Sequence, residues 1–366
     1  LWGLLIAAAV VALMYLWVGK LGATLVVDSI DRHLFGELLV PATERAADAI
    51  PWPIVREALV DEDFGLLPNG VFLAFGLVMP VLFFFYFGFQ FLVESGYLPR
   101  LSILLDRAFR RIGLNGRGIL PLTLGFSCVT MALITTRMLR TKKERTIASL
   151  LLLLATPCAP LLSVMLVILG DMPISATLTV FGLIATQTVL VGALSSKLLP
   201  GATSDFIMEI PPMRVPHLGH VLRQTARQTV HFMKEAVPLF LLASLALFVA
   251  KRLGALGALE RAASPVVDGL LGLPPESVQV FVKTMIRRES GAAELEATAG
   301  GFDNLQLVVA LIVMTFLAPC VNASFVLIKE RGLPKAAALL LAVSLYALLL
   351  GGAVHFICRG LGVTFT

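Results

Sequence analysis

The chain has 366 residues, of which 58% are hydrophobic and only 14% charged, and its mean hydropathy is +0.90. Soluble domains typically carry about 25% charged residues, so the composition excludes a soluble globule and leaves a membrane protein. The formal charge of +5 gathers at the ends of apolar blocks without interleaved aromatics, which excludes a nucleic-acid surface and fits membrane orientation.

A helix needs about 20 apolar residues to cross a hydrocarbon core about 30 Å thick. On that basis spans are predicted at Leu1–Val18, Leu67–Val93, Thr146–Leu169, Ile174–Leu198, Ala236–Ala250, Leu305–Ile328 and Ala336–Cys358. The first has no basic segment before it, so it reads as a transmembrane helix rather than a secretory leader. The start at Leu1 rather than Met predicts a further segment upstream. Two more apolar stretches, Gly118–Met138 and Ser277–Ile286, are short or broken by glycine and read as re-entrant or interrupted helices.

Residues 20–66 form an acidic connector interrupted by Pro51-Trp52-Pro53, whereas 98–117, 137–145 and 199–235 are basic. Cytoplasmic loops carry the excess of Lys and Arg. The segments on either side of Gly118–Met138 are therefore both predicted inside, which makes the stretch between them re-entrant. Residues 251–303 then fall mostly outside and 329–335 inside.

The chain also repeats itself. Ser95-Gly96, Asp106, Ile112-Gly113-Leu114 and Gly125-Phe126-Ser127-Cys128 have counterparts in Leu253-Gly254, Asp268, Leu271-Gly272-Leu273 and Arg287-Arg288-Glu289-Ser290-Gly291. The charge pattern sets the two copies on opposite sides of the bilayer. The predicted fold is an all-α polytopic membrane protein. It has about seven to eight transmembrane helices plus two broken, re-entrant helices in two inverted repeats. The divisions are a first helix and connector at 1–66, a first repeat at 67–198, a basic cytoplasmic loop at 199–235, a second repeat at 236–358 and a tail at 359–366. Transporters of this design place their site at the breaks, near the midplane.

Four cysteines occur, at 128, 158, 320 and 358, with no close CxxC pair, so a zinc ribbon is not expected. Irregular backbone at membrane depth is tolerated only where it lines protein or a cavity. Cys128 falls in such a stretch, after Gly125, which permits a bend or a close approach. Cys128 and Met131 would share a face if both were helical, and a thiolate with a thioether suits a transition metal. Prolines unwind a helix and free its carbonyls, and Pro157-Cys158 and Pro319-Cys320 do so twice. Packing of inert thiols is the alternative. Glu94 and Glu289 are intramembrane carboxylates and hence candidate ligands; a helix-end role for Glu94 and neutralisation of Glu289 by Arg287 and Arg288 are the simpler readings. No catalytic triad, HExxH or Walker-type loop is present, so no enzyme is expected within this chain.

At these motifs the chain resembles the FeoB ferrous iron transporters. Val93-Glu94-Ser95-Gly96-Tyr97-Leu98-Pro99-Arg100, Leu105-Asp106-Arg107, Ile112-Gly113-Leu114-Asn115-Gly116 and Gly125-Phe126-Ser127-Cys128 carry the resemblance in the first half. Thr135-Thr136-Arg137-Met138-Leu139, Lys143-Glu144-Arg145, Glu209-Ile210-Pro211-Pro212-Met213-Arg214-Val215-Pro216, Arg287-Arg288-Glu289-Ser290-Gly291-Ala292 and Pro319-Cys320 continue it. The branch is divergent. Many members have Asn-Val-Pro where this chain has Val129-Thr130-Met131, and Cys-Ser-Ala-Arg where it has Cys158-Ala159-Pro160-Leu161.

The resemblance implies two inverted gate-type repeats in the membrane permease of a bacterial inner-membrane Fe2+ uptake system. It implies Cys128, Cys320 and Cys158 along the path, Met131, Glu94 and Glu289 as lesser ligands, and Gly125, Ser290, Gly291, Pro157 and Pro319 as structural or gating residues. It also implies an N-terminal GTP-binding domain, using GTP and Mg2+, that this chain does not include. Small accessory Feo-type proteins and a homo-oligomer are further implied partners. Two other readings stay open: a transporter of an organic solute such as a nucleoside, using Asn322, Gln279 and Glu289, and a membrane module that only anchors a partner.

Overall fold

The computed structural model describes residues 79–154, 156–170, 172–201, 216–317, 319–360 and 362, with isolated residues or pairs before 79. The predicted span Leu1–Val18, the acidic connector and the motif at 209–215 lie outside the described residues, single positions such as Trp17 apart.

Fourteen α-helices and no strand occur among the described residues. They fall into two series of seven. The first is α1 (Met79–Glu94), α2 (Tyr97–Arg111), α3 (Ile119–Ser127), α4 (Val129–Thr135), α5 (Lys142–Leu154), α6 (Ala159–Gly170) and α7 (Ile174–Leu198). The second is α8 (Leu218–Arg252), α9 (Ala255–Leu271), α10 (Ser277–Ile286), α11 (Arg288–Thr298), α12 (Asn304–Phe316), α13 (Val321–Arg331) and α14 (Leu333–Gly360). Each helix of the first series has its counterpart seven places later.

The correspondence reaches the backbone. The break between α3 and α4 is Cys128 at φ −149°, ψ 112°, and that between α10 and α11 is Arg287 at φ −147°, ψ 127°. The turns after α2 and α9 are made by Gly113 at φ 78° and Gly272 at φ 64°, a conformation that disfavours a Cβ. Both turns are also covered closely. A Cβ at Gly113 would lie 2.6 Å from Ser196 Oγ of α7, and one at Gly272 would strike the His355 ring of α14. The last helix of each series thus closes over the glycine turn of its own series. The central helices α5 and α12 both start on a capping box, Thr141 with Glu144 and Asp303 with Gln306, which satisfies amides that the first turn leaves free.

The chain divides into two compact units, residues 1–101 with 208–256, and 102–207 with 257–366. In the first unit α1 packs along α8, and Trp17 Nε1 donates to Phe84 O at 3.2 Å. Residues 218–235, expected as loop, are the first turns of the 35-residue α8. Val221, Thr225, Thr229 and Phe232 are buried there, at the spacing of one helical face, so polar neighbours did not prevent a helix from forming.

In the second unit α12 is buried on all sides from Leu307 to Phe316, as expected for a helix apolar all round. The outer helices α7 and α14 expose Ile174, Leu178, Leu198, Leu341 and Leu345. Among the described residues, three stretches are long and apolar enough to cross a membrane, namely Ile174–Leu198, Asn304–Arg331 and Leu333–Gly360. The predicted span Thr146–Leu169 is α5 and α6 with non-helical residues 156–158 between them. Leu305–Ile328 is likewise divided into α12 and α13. Ser277–Ile286 is only the first arm of a hairpin whose second arm, α11, is too polar to have been counted as apolar.

Candidate functional site

Four helix breaks come together in the second unit. Two are the hairpin tips, Cys128 and Arg287. Two are the Pro-Cys interruptions, where α5 gives way to α6 and α12 to α13. The packing is crossed. Arm α4 of the first series lies on α13 of the second, and arm α11 of the second lies on α6 of the first. One arm of each hairpin therefore braces a half-helix of the other series.

Cys128 precedes α4 and Cys320 precedes α13. Because those two helices pack together, the thiols stand at neighbouring helix N-termini, and they are close enough to interact electrostatically. Both are half-buried. The Cys128 thiol faces the backbone N–H groups of Thr130 and Met131 and the Thr130 hydroxyl. The N-terminal end of a helix carries partial positive charge.

The spacing argument for Met131 fails. Cys128 is extended backbone rather than helix, so the two residues do not share a helical face. Met131 contributes its amide to the thiol's surroundings and is itself half-buried. Cys158 is buried immediately before α6. Among the described residues no three His, Cys, Asp or Glu side chains gather as a metal-binding group.

At a break, the helix that ends leaves carbonyls unsatisfied. Two of these are taken by a single side chain. Arg288 donates from Nη1 to Thr156 O and from Nη2 to Leu317 O, each at 3.4 Å. The first carbonyl follows α5 and the second follows α12, so one guanidinium links both Pro-Cys breaks. Arg288 is only 2% exposed and its Nε has no hydrogen-bond partner among the described residues. Reading Arg288 as a neutraliser of Glu289 missed this role. The available signal was two adjacent arginines at the end of an apolar stretch. Met165 of α6 was also missed; its sulfur accepts from Thr315 Oγ1 of α12 at 3.6 Å, fully buried.

The structural residues separate by mechanism. Gly125 stays helical within α3. It is needed for close approach rather than for bending, since a Cβ there would strike Leu152 and meet Thr156 Cγ2 at 3.0 Å. Gly291 lies inside α11 against α10, where a Cβ would strike Thr284 Oγ1 and come within 2.6 Å of Thr284 N. Glu289 and Ser290 lie in the first turn of α11, past the break. Pro157 and Pro319 both directly precede the cysteine at their break and are buried.

Glu94 is elsewhere. It ends α1 in the first unit and pairs with His220 Nε2 of α8 at 3.4 Å. Asn322 is buried in the first turn of α13, and Gln279 is in α10, facing outward.

The ends of the broken helices are tied at one more place. Arg137, after α4, holds Glu330 of α13 through both carboxylate oxygens, with Nε at 2.8 Å. Arg331 Nη2 donates to Ser149 Oγ of α5 at 2.8 Å.

The family described as Gate, nucleoside recognition, matches residues 75–172 and again 233–334, together more than half of the chain. The two matches fall on the two helix series. The family described as Ferrous iron transport protein B C terminus matches 177–227. An Fe(2+) transport protein A/Fe(2+) transporter FeoB fusion protein of Porphyromonas gingivalis is 30% identical over 175 residues, which are 46% of this chain and 21% of the relative. The Fe(2+) transporter FeoB of Methanocaldococcus jannaschii is 28% identical over 179 residues, 47% of this chain and 27% of the relative. That of Helicobacter pylori is 29% identical over 192 residues, 50% of this chain and 30% of the relative. The matched stretches span less than a third of these relatives' length. No solved structure matches the chain.

Proposed function

We propose, given that this chain belongs to the Gate family and matches the Ferrous iron transport protein B C-terminal family over 177–227, that it is the membrane permease of a ferrous iron uptake system in a bacterial inner membrane. The observation that carries the reading is the pairing of Cys128 with Cys320 at the N-termini of two packed helices, one from each series. Soft thiolates select transition metals over Na+ or Mg2+. A metal that binds there displaces the thiol protons as it does so.

The two series are oriented oppositely across the bilayer, so Fe2+ passes between equivalent breaks. Cys128 and Cys320 form the principal pair of ligands. Cys158, one residue past Pro157, lines the adjoining stretch. Water and freed carbonyls complete the shell, which keeps binding weak enough for release. Met131 and Glu289 stand beside the path, and Glu94, held by His220 in the first unit, is a further candidate ligand. Gly125, Ser290, Gly291, Pro157 and Pro319 fix the breaks that form it.

A GTP-binding domain, on the same or a separate chain, controls opening. The Porphyromonas relative joins an Fe(2+) transport protein A to its transporter, which supports a small Feo-type protein as a further partner.

The experiment is uptake of radiolabelled Fe2+ in cells that depend on this chain for iron. Uptake in the Cys128→Ser, Cys320→Ser double variant is expected to fall to the level of the empty vector. Unchanged uptake would remove both thiols from the path. The description of the Gate family favours a second reading, a nucleoside carrier. Saturable binding of a nucleoside, unaffected by either cysteine substitution, would favour that reading instead.

A further inference from the structure

Broken helices in a transporter offer two kinds of end. N-terminal ends present N–H groups and suit anions, whereas C-terminal ends and unwound carbonyls suit cations. In this chain the N-terminal ends of α4 and α13 hold thiols, and the carbonyls past α5 and α12 hold Arg288. The position that a dehydrated cation would take is already occupied by a cation belonging to the protein.

Its depth fits that role. From Cys320 to the basic residue Lys329 is nine residues, about 14 Å of helix, close to half of a hydrocarbon core about 30 Å thick. A charge at such depth is expensive to keep and marks function by default. Its satisfaction is also meagre. The two bonds are long, at 3.4 Å each, beyond the usual range for N–H···O contacts. The Nε has no partner among the described residues. The two bonds end on carbonyls at different breaks, so separation of the breaks would have to release at least one of them.

We infer that Arg288 is a tethered cation that closes the path. It occupies the Thr156 and Leu317 carbonyls, bars other cations by charge and by occupancy, and leaves when the two Pro-Cys breaks separate to let Fe2+ through. This rests on the reading of the breaks as the transport path. It assigns to Arg288 both closure and the exclusion of monovalent ions, which thiolates alone would not provide.

The test is passive K+ efflux from K+-loaded proteoliposomes carrying the whole chain, with Arg288→Gln and Arg288→Lys beside the wild type. The wild type is expected to be tight. Gln leaves both carbonyls open to ions, and efflux is expected to rise about tenfold. Lys is a point charge that reaches one carbonyl rather than two, so a rise of about threefold is expected. Each variant is first shown to elute as the wild type does in size-exclusion chromatography and to unfold at a similar temperature, so that a leak is not caused by misfolding. If the Gln variant does not reconstitute, the Lys variant decides alone. Wild-type tightness in either reconstituted variant overturns the inference. Radiolabelled Fe2+ flux is measured in the same liposomes. A leak in the variants without iron flux in the wild type would sink the iron reading and keep the closure. Iron flux in the wild type with no leak in the variants would do the reverse.

Discussion

At the tip of the α3–α4 hairpin the chain places a cysteine, and at the same point of the α10–α11 hairpin it places two arginines. The backbone angles at the tips agree within about 15°, a scatter usual for one conformation. The residues around them are complementary in size. Three before the break stand Gly125 and Thr284; four after it stand Ala132 and Gly291. In the second hairpin the small residue faces the larger one across the arms. In the first, the glycine instead faces α5. The repeat thus fixes where backbone is irregular, and the side chains decide what each irregularity does: one tip presents a soft ligand, the other a positive charge.

The strongest way to break this comparison is Gly291→Ala. Its counterpart position already holds Ala132, fully buried, so a simple repeat would tolerate the change. The Thr284 backbone is in the way here, and a loss of about 3 kcal/mol is expected on thermal unfolding in detergent. A neutral outcome would mean the two hairpins pack alike after all. Gly125→Ala is expected to cost about 1 kcal/mol in the same measurement. The atoms it meets, in Leu152 and Thr156, belong to side-chain ends that can shift.

Thr141→Ala and Asp303→Ala remove equivalent capping boxes, and each is expected to cost about 1 kcal/mol. Unequal losses would show that α5 and α12 do not bear equal weight. Smallest is Glu330→Gln, which releases Arg137 at a site where the guanidinium is 60% exposed. About 0.5 kcal/mol is expected there, fading as salt is raised.

The architecture was legible wherever it rests on proline or on long apolar runs. Pro157 and Pro319 cannot continue a hydrogen-bonded helix, and the breaks stand beside them. The outer helices α7 and α14 follow the apolar runs within a few residues. Arm α11 was invisible because Arg288–Thr298 holds few apolar residues; its helix is stabilised by the partner arm rather than by its own pattern. The pairing of Cys128 with Cys320 follows from two helices packing across the two series, which no local spacing encodes. The same is true of Glu94, whose partner His220 sits on another helix. Arg288 illustrates the limit: its neighbours in sequence suggest an ion pair, and its neighbours in space are two carbonyls from distant breaks.

The crossed bracing also dictates an order of events during synthesis. A ribosome delivers α4 long before α13 exists, and α6 long before α11. The first seven helices must therefore wait in the bilayer with two faces uncovered until the last third of the chain arrives. A nascent chain that ends ahead of Val321 has an unbraced α4 whatever the quality of its own series. Neither half is expected to persist alone.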